Sequence, residues 1–228
     1  MSPIWALVLA AATGCPDSRV VVPQAAVVEQ LAPAVQTGTL LFSQGDCLAV
    51  KCFSASRFTH VGMVAQTPAG PMVYDSMNGT GVRKTPLAEY VSLQTPCDLL
   101  AVHPAKPISE PQAGKLCEAL EQQLGRPYGI RHHLTGSKCE GVHCSEYATE
   151  CLIAAGLMTA NNPARVSPGS LLQGVRQSGL YIDGAEFSLA LAPVPEPVGE
   201  TWCQWSWRCT KTGVLGSCVQ MRRWFLCR

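Results

Sequence analysis

Formal charge is scarce in this chain. Asp, Glu, Lys and Arg make up 14% of the 228 residues and nearly cancel, leaving +1. That balance excludes the basic excess of a dedicated nucleic-acid binder, and 47% hydrophobic residues exclude global disorder. No internal repeat is present, so a solenoid or array is not expected. The apolar run Pro3 to Ala12 is too short to cross a bilayer as a mature helix. No Lys or Arg precedes it, no histidine follows Cys144, and no acid stands between Thr201 and Arg228. The twelve cysteines do not fall into repeated Cys-x-x-Cys pairs, so no metal site or other cofactor is implied. So many cysteines fit an oxidising compartment better than a reducing cytosol.

What is present at the N-terminus points to export. Residues 1–14 have the form of a signal peptide with a short apolar core. Ala12-Thr13-Gly14-Cys15 resembles a bacterial lipobox, which would make Cys15 a lipidation site and the first mature residue. The missing basic n-region departs from that pattern, and an ordinary signal peptide or a mis-set start codon is the alternative. The expected location is the bacterial cell envelope or periplasm, with membrane attachment only through the lipid anchor. No nucleic-acid partner is expected.

Residues 15–35 form a lead-in, extended or briefly helical. Within 36–191, Thr39 to Phe42, Thr59 to Ala65, Met72 to Met77, Val82 to Lys84 and Leu99 to His103 read as strands separated by Gly, Pro and Asn turns. Helices are expected from Ser109 to Leu124, from Cys144 onward, and from Ser167-Pro168 to near Gly179. Ser109 and Gln112 have capping-box spacing. A last strand is expected within 180–191, giving an α+β domain. Residues 192–200 are a Pro-rich linker, and 201–228 a tail with four cysteines (Cys203, Cys209, Cys218, Cys227), four tryptophans and five Lys or Arg. In an exported protein those cysteines suggest two disulfides of open pairing. The tail's character suits peptidoglycan, another anionic envelope polymer or lipid headgroups, or it is a loosely ordered end with no role.

The chemistry gathers around Cys144. Tyr147, Ala148, Cys151, Leu152 and Ala155 recur at helical spacing behind it, and Gly141 breaks the chain before it. A cysteine in the first turn of a helix is favoured as thiolate by the unpaired N–H groups and the partial positive charge there. Cys151, seven residues on, reads as packing; the plain alternative makes Cys144 a buried small hydrophobe as well. His60 stands in an otherwise apolar strand, and Asp75 in the next strand across a hairpin turn. Nucleophile, base and orienting acid are the parts thiol catalysis needs. A strand histidine can also be a satisfied core residue.

Thr37-Gly38-Thr39-Leu40-Leu41-Phe42, Thr59-His60-Val61-Gly62-Met63-Val64, Val73-Tyr74-Asp75, Gly125-Arg126-Pro127-Tyr128 and His143-Cys144-Ser145-Glu146 together resemble the YiiX-like family. That family is a circularly permuted branch of the NlpC-type papain-fold cysteine peptidases, related to lecithin:retinol acyltransferase-like enzymes. The resemblance spans about residues 36–180. It implies a permuted papain-like fold, with a small antiparallel sheet packed against helices and a Cys-rich C-terminal extension outside it. It implies Cys144, His60 and Asp75 as catalytic residues, with Ser145, Glu146 (capping the helix or contacting a substrate amine), Tyr128 and Tyr181 in supporting or substrate-binding roles. Thr39 replaces the family's usual acid, and Asp75 stands where glutamate is common. Asp46-Cys47 resembles the nucleophile motif of unpermuted relatives, with His103 as base, but Cys47 lies between the two strand motifs and fits a disulfide better. The expected activity is a thiol amidase or peptidase acting on cell-wall peptide or related amide bonds. Acyl transfer or lipid deacylation is the enzymatic alternative. An inert core with a wall- or membrane-binding tail is the non-enzymatic one, in which Cys144 would be tied up, for example with Cys139.

Overall fold

The computed structural model describes residues 24–44, 56–94, 97–130, 140–189, 199, 201–208, 210, 211 and 214. The expected signal peptide, Cys15, Cys47, Cys139, Cys209, Cys218, Cys227 and most of the Pro-rich linker lie outside these residues.

Six strands, β1 (Leu40–Ser43), β2 (His60–Thr67), β3 (Gly70–Met77), β4 (Gly81–Pro86), β5 (Cys97–Pro104) and β6 (Tyr181–Leu189), form one antiparallel sheet in the order β4-β3-β2-β1-β5-β6. The central strands are buried on both faces, which is why β1 is a continuous Leu-Leu-Phe run and not an alternation. Successive side chains point to opposite faces, and two cores follow. Leu40, Phe42, Met63 and Tyr74 meet the helices α3 (Glu110–Gln122), α4 (Cys144–Ala154) and α5 (Pro168–Gln177) on one face. Leu41, Val64, Val73 and Leu99 meet α1 (Gln24–Leu31) and α2 (Leu87–Leu93) on the other.

The stretch read as a lead-in is therefore part of the domain. Val27 and Leu31 of α1 are buried in the second core, because a sheet apolar on both sides must be covered on both. Ser109 sits at the N-cap of α3 as expected but makes no capping bond there; its hydroxyl donates to Gln112 Oε1 at 2.8 Å. Ser167 does cap α5, through a reciprocal box with Ser170.

Two features of the sheet position the site. His60 opens β2 directly across from Ser43 at the end of β1. Asp75 lies across from Gly62, two residues further along β2, and so diagonal to His60 on the same face. Gly62 leaves room for Tyr90: a Cβ there would stand 2.7 Å from Val73 Cγ1 and 2.9 Å from Tyr90 Oη. Gly62→Ala is expected to lower stability by about 1–3 kcal/mol through overpacking, measured as a lower urea midpoint at unchanged m-value.

Candidate active site

Cys144 is the first residue of α4, and the cap before it is an imidazole. His143 Nε2–H donates to the Ala164 carbonyl at 3.0 Å, so Nδ1 carries no proton and accepts from the Glu146 N–H at 3.4 Å. Glu146 returns the bond by accepting from the His143 N–H at 3.4 Å. This capping box uses the Glu146 N–H, while the helix ladder begins with Tyr147 N–H donating to the His143 carbonyl at 2.9 Å. The N–H groups of Cys144 and Ser145 fall in the helix turn that has no ladder partners of its own. Ser145 Oγ–H donates to the Val166 carbonyl at 2.7 Å, tying the helix start to the following turn. Both Ser145 and Glu146 are buried.

His60 supplies the charge that Cys144 needs. Its Nε2–H donates to Asp75 Oδ2 at 2.9 Å, and Cys144 is close enough for thiol and imidazole to shift each other's titration. Asp75 is wholly buried and clamped from the other side by Arg83, which lies directly opposite it on β4 and donates through Nε at 2.8 Å and Nη2 at 3.2 Å. Burial raises the Asp75 carboxyl, but the hydrogen bond and charge of His60 and those of Arg83 outweigh it and hold the group below the usual range. Burial likewise lowers His60, yet the Cys144 thiolate and Asp75 push it up to about 10. Cys144 moves the opposite way. Burial raises the thiol, and the charge of His60, followed by the polar proximity of the two imidazoles, brings it down to about 6. His143 is also pulled both ways: burial lowers it, and Cys144, the Ala164 carbonyl and Glu146 carry it above the ordinary value.

Cys151 is the internal contrast. It sits on the same helix, wholly buried, with its thiol pushed up to about 12 chiefly by burial. Two cysteines of one helix are thus separated by their charged neighbours and not by their depth. Cys144 itself is 4% exposed and carries a free thiol.

The remaining expected site residues differ in where they lie. Tyr181 opens β6 and its hydroxyl donates to the Gly38 carbonyl at 3.0 Å, near the end of β1 opposite the Ser43–His60 pair. At about 3.3 Å per residue along β1, the Tyr181 hydroxyl is far from Cys144, and it braces the entry to β1. Tyr128 pairs its backbone with Val142 in an isolated bridge just before α4. His103 lies beside Thr39, with Nδ1 3.1 Å from Oγ1, again away from Cys144. Cys203 is an exposed free thiol in the tail, while its three candidate partners lie outside the described residues.

Arg83 and His143 were missed on the sequence. The register that follows the Asn78-Gly79 turn could have identified Arg83, because it sets Asp75 opposite Arg83. His143 gave no such signal, since helix N-caps are usually Ser, Thr, Asp or Asn.

Strand order and site together define a papain-like protein in permuted order, with the sheet histidine upstream of the helix-borne cysteine. The family model for permuted papain-like amidases of the YaeF/YiiX type, the C92 peptidase family, matches residues 34–170, and the chain belongs to that family. It is accordingly a cysteine hydrolase of the amidase and peptidase kind. Among solved structures, the fold is similar to that of the metalloprotein YiiX from Escherichia coli O157:H7, with a TM-score of 0.53 and 20% identity over 66% of this chain and 96% of the other. No curated protein matches. The metal named there is that protein's. Among the described residues no group of three or more His, Cys, Asp and Glu side chains is arranged to hold one. Both ring nitrogens of His143 and Nε2 of His60 are already committed.

Because its charged neighbours favour the thiolate, Cys144 should be alkylated by iodoacetamide with a midpoint near pH 6, well below a free thiol. Below that midpoint the thiolate gains a proton and labelling falls; above it labelling reaches a plateau. His60→Ala removes the leading favourable charge while burial remains, so labelling at pH 7 should drop at least about tenfold, with the modified residue mapped by mass spectrometry.

Proposed function

We propose that the chain hydrolyses amide bonds through Cys144 as nucleophile, His60 as general base and acid, and Asp75 as the group that orients and charges His60. The single observation that carries this reading is the buried His60–Asp75 hydrogen bond at 2.9 Å with Cys144 as the other neighbour of His60 at a helix start. The Cys144 thiolate, paired with imidazolium, attacks the carbonyl carbon and forms the C–S bond, and the carbonyl π electrons move onto oxygen. Backbone N–H groups at the start of α4, those of Cys144 and Ser145, receive the oxyanion. His60 gives its proton to the leaving amine as the C–N bond breaks. Neutral His60 then takes a proton from water, whose oxygen attacks the thioester, and the thiolate leaves with the imidazolium restored. Asp75 stays ionised throughout, held by Arg83.

The substrate we favour is a cell-wall peptide or a related amide, reached after export to the envelope. Support for that choice is the family's amidase character, together with the signal-like residues 1–14 and the cysteine-rich composition.

The test is release of amine from wall peptides by the purified full chain. Cys144→Ala should abolish turnover, by at least about 10³-fold. Asp75→Asn should reduce kcat by about 10²-fold or more by mis-orienting His60. Arg83→Met should reduce it by about 10–100-fold, the worth of a charge-assisted bond to Asp75. Turnover should fall on the acid side as Cys144 protonates, and on the alkaline side as His60 loses the proton it gives the amine. Undiminished turnover in Cys144→Ala, or in His60→Ala, would end the proposal. Hydrolysis of acyl esters with no amide turnover would move it to the acyltransferase-like alternative.

A further inference from the structure

We propose that Tyr90 is a positioning residue for the His60–Asp75 pair, its hydroxyl being the reserve donor that Asp75 takes up when His60 is neutral. The role rests on the hydrolase reading, because that mechanism passes through a neutral His60 before water attacks the thioester.

Tyr90 lies on α2, wholly buried, and its hydroxyl has no hydrogen-bond partner among the described residues. A buried donor left unbonded is costly, and a phenylalanine would fill the same space without that cost. The hydroxyl stands over Gly62, where a Cβ would lie 2.9 Å from Oη. Gly62 is paired across the ladder with Asp75, and directly opposite positions place their Cβ atoms about 4.5–5.5 Å apart. The unbonded donor is thus carried to the edge of the buried carboxylate. The Tyr90 ring also lies nearly parallel to that of His60, with centroids 6.5 Å apart and planes at 27°.

Charge gives the direction of the bond. Burial, and after it the negative charge of Asp75, hold the Tyr90 phenol protonated, so toward a carboxylate it donates. The titratable groups around the hydroxyl are His60, Asp75, Arg83, Cys97 and Cys144, from β2, β3, β4, β5 and α4. Cys97 donates to the Gln94 carbonyl, and Cys144 has the charge of His60 beside it, which leaves Asp75 as the acceptor. Asp75 accepts one bond from His60 and two from Arg83, and a carboxylate offers about four acceptor sites. While His60 is an imidazolium, two cations compensate the carboxylate. Once His60 has given its proton to the leaving amine, one of those charges is gone, and a fourth donor matters most.

The test is the titration of His60 by 15N imidazole NMR, in the full chain carrying Cys144→Ala so that no thiolate faces the ring. The His60 signal is the one absent from a His60→Gln variant. A hydroxyl that supports Asp75 beside neutral imidazole disfavours imidazolium, and its removal does the reverse. Tyr90→Phe should therefore make His60 bind its proton about three- to tenfold more tightly, moving the midpoint upward. Measured where His60 is charged, the urea midpoint of Tyr90→Phe should be no lower than that of the parent, since the hydroxyl bonds nothing in that state. An unchanged or lowered His60 midpoint would overturn the inference. So would a lower urea midpoint, which would show the hydroxyl already bonded beside imidazolium. Neither readout needs turnover, so failure here is separable from failure of the hydrolase reading, which absence of amide hydrolysis in the unaltered chain would reveal. In the active chain, Tyr90→Phe should slow thioester hydrolysis by about three- to tenfold and leave thioester formation unchanged.

Discussion

A thiolate cannot stay buried in a protein interior without positive charge beside it. Most of what is distinctive in this molecule answers that constraint. Cys144 is nearly as inaccessible as Cys151, yet its thiol is driven down where that of Cys151 is driven up. The difference is His60, and the charge on His60 depends in turn on Asp75. Asp75 is wholly buried and would itself be costly as a carboxylate without the two donors of Arg83 and the one from His60. The site is a chain of alternating charges, each of which makes the next tenable.

That chain is built by the antiparallel sheet. The β2–β3 register brings Asp75 to the diagonal neighbour of His60, and the β3–β4 register sets Arg83 opposite Asp75. Gly62 keeps the face clear at the point where Tyr90 approaches. Because the side-chain period along a strand is two, a slip of one residue in either hairpin would put a partner on the wrong face. The helix contributes in a different currency: His143 and Glu146 close its first turn reciprocally and pin it to the turn at Ala164, leaving the cysteine at the end of the macrodipole. Sheet and helix need each other, since neither holds both members of the thiol–imidazole pair.

The permuted order has a physical consequence as well. His60 and Asp75 lie on neighbouring strands joined by a short hairpin, while Cys144 arrives much later on a helix packed against the opposite core. The His60–Asp75 contact is therefore local in sequence, and the contact with Cys144 is not.

Local contacts of that kind could be read from the chain. The helix start at Cys144, the apolar strand carrying His60, the hairpin leading to Asp75 and the packing role of Cys151 each follow from periodicity and turn residues over short windows. What those windows do not contain was decided by the tertiary structure. Only the folded sheet showed that α1 belongs to the domain, because a doubly buried sheet needs cover on its second face. Only the approach of Ala164 set the tautomer that lets His143 cap a helix. Tyr181, grouped with the site by resemblance, was carried by β6 to the far end of β1. Sequence determined which residues could carry charge and where elements begin. Burial and register, properties of segments distant along the chain, decided which of those charges meet.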